Sequence, residues 1–189
     1  MDQSAQIKAK VLAIPEEEKP GVYICGLGNW GTTNHLMTAE NYSSFRVAGI
    51  KNVVSGLGIQ GVGPIEEEKF LDLSDQMDII IMDAAAVKNI KPLYAEDPTM
   101  FDTCKAWQDG EVYLQMAYNA YYTNYEIALI NTWFIAKTVY PDAFADIDLT
   151  EKTNEVTKLF LGEELAEEIF ACPSSFGGYG KLNLSPIFG

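Results

Sequence analysis

The sequence predicts an α/β fold: a three-layer αβα sandwich with a mostly parallel central sheet of about four or five strands. Short apolar runs recur at residues 22–25 (VYIC), 52–54 (NVV), 78–83 (DIIIMD) and 112–114 (VYL). Segments with helical apolar spacing separate them, and alternation of strand and helix is the pattern of parallel βαβ units. The run Ile79, Ile80, Ile81 is apolar without a break, as suits a strand covered on both faces.

In chain order, residues 4–14 place Ile7, Val11 and Ile14 on one helical face, with Lys8 and Lys10 off it, before Pro15. EEEKPG at 16–21 is a polar connector. The first strand follows, then GLGNWGTTNHL at 26–36. A helix is expected from 38 to about 48, the second strand at 52–54, and the glycine-rich GLGIQGVG at 56–63. Residues 66–73 read as a helix opened by three acids. The third strand, a mixed segment, a helix around 100–107 and the turn at 108–110 follow.

The fourth strand leads into a polar-aromatic loop at 118–125 and then a long apolar helix, 126–139, stopped by Pro141. Two more helices are expected at 150–161 and 163–171, the first capped by Thr150. Residues 173–189, rich in glycine, read as a loose tail.

In a parallel sheet, ligands sit outside the carboxyl ends of the strands. That edge should gather segments 26–35, 56–64, 83–87 and 116–125. The last carries four of the chain's ten tyrosines, amphipathic rings with hydrogen-bonding tips. A tyrosine-rich packing turn is the alternative.

Composition excludes several classes. Lys+Arg is 13 and Asp+Glu is 27, a net charge of −14, so a broad nucleic-acid-binding face is not expected. Cys25, Cys104 and Cys172 show no zinc spacing and read as three buried thiols. No apolar h-region opens the chain and no stretch is long enough to span a bilayer.

Two GxGxxG matches occur, at 26–31 and 56–61, but no acid ends the second strand and Trp30 would crowd a pyrophosphate. A nucleotide-binding α/β enzyme is therefore the lesser expectation. His35 is the only histidine, either an ordinary loop residue or an axial ligand to a metal held by other groups. Glu66, Glu67 and Glu68 suit a helix N-terminus, though three acids exceed what the dipole needs.

Several ordered segments resemble a known family. They are PGVYI at 20–24, AGIKNV at 48–53, IEEEKFL at 65–71, DIII at 78–81, the stretch from Trp107 to Val112-Tyr113, and Trp133 followed by PDAF at 141–144 and DIDL at 146–149. Together they are similar to one lobe of a class III ABC-transporter substrate-binding protein, the iron-siderophore, haem and vitamin B12 binding family. The resemblance implies two lobes joined by a long helix, with ligand between them. Residues 1–19 would be the end of that helix and a connector, 20–172 the C-terminal lobe, and 173–189 a tail. On that resemblance the N-terminal lobe would be missing from the chain.

The resemblance further implies an importer component rather than an enzyme, without a cofactor, residing outside the cytoplasm, in the periplasm or on a lipid anchor. Its partners would be a metal-complex ligand, siderophore or haem-like, and a membrane permease. Molybdate, tungstate or a corrinoid is the alternative cargo. A homodimer of the isolated lobe could cover the cleft face. The expected ligand-binding residues are Asn29, Trp30, Thr32, Thr33, His35, Tyr118, Asn119, Tyr121 and Tyr122, with Glu68 docking onto permease arginines. No metal ligands of the protein's own are expected.

Overall fold

A computed structural model describes residues 2–28, 33–119, 122–172 and 179–188. Strands β1 (Gly21–Cys25), β3 (Lys51–Asn52), β5 (Ile79–Asp83) and β6 (Val112–Gln115) form a parallel sheet, with β7 (Gly180–Lys181) antiparallel on its edge. The spatial order is β3-β1-β5-β6-β7. Two further strands, β2 (Met37–Thr38) and β4 (Gly63–Pro64), pair antiparallel as a separate ribbon. This is the αβα sandwich the sequence predicts.

Strand alternation divides the core into two layers. Tyr23, Cys25, Ile80 and Met82 face one side, packing with Phe70 and Leu73 of α3 (Glu67–Leu73) and Val87 and Ile90 of α4 (Ala84–Glu96). Val22, Ile24 and Ile81 face the other. There they meet Ile7 and Val11 of α1 (Gln3–Val11), Phe45 of α2 (Ser43–Ala48), and Trp133 and Ile135 of α6 (Tyr125–Val139). α6 is buried through most of its length because α7 (Leu149–Leu161) packs outside it. An all-round apolar helix needs such cover. Truncating the fully buried Trp133 to Ala would cost about 3–5 kcal/mol.

Several elements differ from expectation. The helix foreseen from 38 begins only at Ser43, because Met37 and Thr38 pair with β4 instead. The mixed segment after β5 is α4, thirteen residues long, whose internal Pro92 breaks the sequence pattern. The helix expected at 100–107 is short, α5 (Lys105–Gln108). Asp148, not Thr150, caps α7, its Oδ1 accepting the Glu151 amide at 2.9 Å. Cys172, which follows α8 (Ala166–Ala171), is exposed, whereas Cys25 and Cys104 are buried.

The end of the chain is not a loose tail. β7 pairs with Tyr113 and Leu114 of β6, and the last helix α9 (Leu184–Phe188) seats Phe188 edge-on to Trp107 at 5.3 Å. Residues 173–178 lie outside the described residues.

Candidate functional site

The parallel strands bring Cys25, Asn52, Asp83 and Gln115 to one carboxyl edge, with Asp83 and Gln115 paired in register. The loops that leave this edge are those the sequence singles out. Two are stitched together by the β2–β4 ribbon, which ties the segment after β1 to the end of the glycine-rich loop after β3. The first loop also lies against α4. Gly26 has φ 78°, and a Cβ added there would collide with Cβ of Ala86.

The second glycine loop already holds an anion. Gly56 N–H donates to Glu40 Oε1 at 2.9 Å, while Gly58 and Ile59 N–H donate to Oε2 at 2.7 and 3.1 Å. Gly56, Gly58 and Gly61 all have positive φ, which turns successive amides toward one point. The Gly56 hydrogen bond, aided by the other two, holds the Glu40 carboxyl below its ordinary pKa. The motif thus builds a nest, filled by a side chain from sixteen residues upstream.

At the heart of the edge lies a buried polar relay. Asp83 ends β5 and caps α4, its Oδ1 accepting the Ala85 amide at 2.9 Å. Its Oδ2 accepts from Gln115 Nε2 at 3.3 Å, and Gln115 Oε1 accepts the Tyr42 hydroxyl at 3.0 Å. Burial pushes the Asp83 carboxyl up to about 6, against the downward pull of both hydrogen bonds. Tyr42 packs against Tyr118, ring centroids 6.1 Å apart. Burial, with the Asp83 charge second, pushes the Tyr118 hydroxyl up to about 12. Beside them Asn131 of α6 donates to Met116 O at 2.8 Å and accepts the Tyr179 hydroxyl at 2.7 Å. The relay fixes the start of the tyrosine loop to two strands and two helices.

The sequence-predicted residues divide between the two sides of the sheet. Tyr118 is buried on the α2–α6 side. Asn119 turns inward to accept from Thr123 Oγ1 at 2.7 Å, and Asn124 N–H donates to Tyr118 O at 2.8 Å, closing a tight loop. Tyr122 on that loop is 88% exposed. His35 and Thr33 are buried. His35 lies on the opposite side, edge-on to Phe70 at 5.1 Å and Phe101 at 5.5 Å. Its Nε2 sits 3.4 Å from Glu67 Oε1, and burial lowers its pKa more than Glu67 raises it. Thr33 Oγ1 has no hydrogen-bond partner among the described residues. Asn29, Trp30, Thr32 and Tyr121 lie outside the described residues. Among the described residues no cluster of three His, Cys, Asp or Glu could hold a metal ion.

Glu68 stands in the first turn of α3, exposed. Its neighbour Glu67 is the one taken by His35. The helix follows a carboxyl-edge loop and runs back toward the start of β5, so its first turn belongs to the same edge as the tyrosine loop. Asp83, Gln115, Tyr42 and Glu40 were not foreseen as site residues. Of these only Asp83 carried a signal, an acid closing an apolar strand.

No family model matches the chain, and no curated protein matches it. Solved structures do share its fold. One is the molybdate periplasmic binding protein MolA of Haemophilus influenzae, bound to molybdate: TM-score 0.64, 17% identity, covering 86% of this chain and 48% of that one. A periplasmic solute-binding protein of Veillonella parvula gives 0.63 at 20% identity, covering 99% and 55%. CeuE of Helicobacter pylori, in a Ni–His complex, gives 0.62 at 19% identity, covering 89% and 52%. The chain spans about half the length of these structures. Its fold is thus that of one part of ABC-transporter solute-binding proteins.

Proposed function

We propose that this chain is the C-terminal lobe of a solute-binding protein serving an ABC importer, and that the carboxyl edge of its sheet is one wall of the ligand cleft. The observation that carries the proposal is the tyrosine loop at that edge, anchored by the Asp83–Gln115–Tyr42 relay. The fold it shares with about half of each periplasmic binding protein supports it. Residues 1–19 are then the end of the connecting helix and a connector, residues 20–172 with β7 and α9 packed onto them are the lobe, and a second lobe supplies the other wall. The complete protein works outside the cytoplasm, closes on its ligand without altering it, and releases it to a permease.

The ligand on this proposal is an iron complex, siderophore-held or haem-like. Tyr118, Asn119 and Tyr122 offer rings and neutral donors beside Asn29, Trp30, Thr32 and Tyr121, while Thr33 and His35 anchor the first loop. One observation favours an oxyanion such as molybdate as a second reading. Arg46, the chain's only arginine, lies in the last turn of α2 rather than at this edge, so on this wall neutral N–H and O–H donors hold the ligand and any arginine would come from the second lobe. A nucleotide at the second glycine loop would have to displace Glu40, which already uses its amides.

Purification of the full-length protein from its natural source tests this directly. Iron or molybdenum should copurify, and tryptophan fluorescence should be quenched by the matching complex and unaffected by NAD. A metal-free protein quenched only by NAD would end the proposal.

A further inference from the structure

A second feature lies at the opposite edge of the sheet. α1 leads through residues 12–20 into the start of β1, and α2 leads through Gly49 into the start of β3. Both helices therefore end at the amino edge, away from the tyrosine loop. Between them is a groove of about 350 Å³ with an apolar floor of Val11, Ile14 and Val47. Lys8, Lys19 and Arg46 line its rim. Leu12, 87% exposed, stands at its lip.

Among the described residues Lys10, Lys19, Lys69, Lys105, Lys152, Lys158 and Lys181 each have a carboxylate within reach, and two of the cations that have none stand together at this groove. Lys10 binds Asp146 at 2.7 Å, Lys105 binds Asp78 at 2.7 Å, and Lys152 binds Glu155 at 2.6 Å. Lys19 is likewise held by Glu16 at 2.7 Å. Lys8 and Arg46 pair with no carboxylate among the described residues, yet they face the same groove. Their places in the last turns of α1 and α2 offset the helix dipoles, which accounts for two positive charges. It does not account for the open apolar floor between them or for Leu12 beside it.

We propose that this groove binds an amphipathic carboxylate of about ten to fifteen non-hydrogen atoms. Its apolar body lies on Val11, Ile14 and Val47 beneath Leu12, and its carboxylate is taken by Arg46 and Lys8. The site is independent of the cleft function proposed above, being built from other elements at the other edge. Charge decides the sign of the ligand, because Lys8 and Arg46 meet here without a carboxylate partner beside an apolar floor, in a chain whose net charge otherwise repels anions.

Decanoate titrated into the ¹⁵N-labelled chain is the test, with acetate and decanol as separate arms. Saturable shifts are expected at the amides of Lys8, Leu12 and residues 46–49, with a dissociation constant on the order of 1 mM. Acetate and decanol should each bind at least about tenfold more weakly, since each lacks one half of the recognition. Arg46→Glu should weaken decanoate at least about tenfold, and Leu12→Ser severalfold. Both residues are exposed, so the remaining amide spectrum should stay in place and report an intact fold. Absence of shifts at these amides, shifts spread over the whole chain, or an Arg46→Glu variant that binds as before would overturn the proposal.

Discussion

Asp83 joins the architecture of the sheet to its chemistry through a single carboxyl group. As an N-cap it suits the fold, since its Oδ1 satisfies an amide at the start of α4. As a charge it opposes the fold, because burial raises it to about 6 while an unfolded aspartate titrates near roughly 3.9. Protonation therefore favours the folded chain. The gain is full below about pH 4 and is lost as pH rises through about 6, on the order of 3 kcal/mol. Asp83→Asn keeps the capping oxygen and sheds the charge. It sets an amide against Gln115 Nε2, which costs about 1 kcal/mol, less than the charge penalty it removes. The variant should thus be more stable than the parent at about pH 7.5 and should lose the parent's fall in stability between about pH 4 and 6. Urea unfolding across that range checks it, and an unchanged pH slope would mean that Asp83 is not the group responsible.

At the scale of elements, the glycine loop after β3 is held by a contact that no local pattern encodes. Glu40 reaches the amides of Gly56, Gly58 and Ile59 across sixteen to nineteen residues. Glu40→Ala should raise hydrogen exchange at these amides by about tenfold or more at neutral pH, leaving the β1 amides protected. The Glu40 pKa is depressed, so the latch is complete above the unfolded value near roughly 4.3 and is lost as pH falls through the lower folded value. Unchanged exchange in the variant would show that the loop holds its shape without the carboxylate.

The same distinction explains what the sequence could show. β1, β5 and β6 were legible because continuous apolar runs belong to buried parallel strands, and α6 because its apolar length stops at a proline. The two-residue strands β2 and β4 carry no pattern of their own and exist only by pairing with each other. α4 was hidden by Pro92, and β7 with α9 by their glycine-rich surroundings. Within the site, Tyr118 was foreseen from the aromatic loop. Gln115 and Tyr42 were not, since only tertiary packing brings their polar ends to Asp83.

For the whole molecule, the surplus of acid becomes informative once individual carboxylates are assigned. The acidic start of α3 looks uniform in sequence, and all three acids are exposed, yet Glu67 alone reaches back to His35 among the described residues, leaving Glu68 turned only to solvent in the first turn. That turn shares the carboxyl edge with the tyrosine loop, so on the importer function proposed above a permease that receives ligand from this edge would meet Glu68 as it docks. Exposed charges at such a rim govern encounter and register more than affinity. Glu68→Lys in the full-length protein should therefore slow uptake of its ligand by about tenfold, most at low ionic strength, while ligand affinity stays as it was. Glu66→Lys, which changes net charge equally, provides the control and should slow uptake less. Transport by cells carrying each variant, set beside ligand binding by the purified proteins, separates docking from capture. Equal uptake by the Glu68→Lys variant and the parent would remove Glu68 from the docking surface, and a matching loss of ligand affinity would place it in the cleft instead.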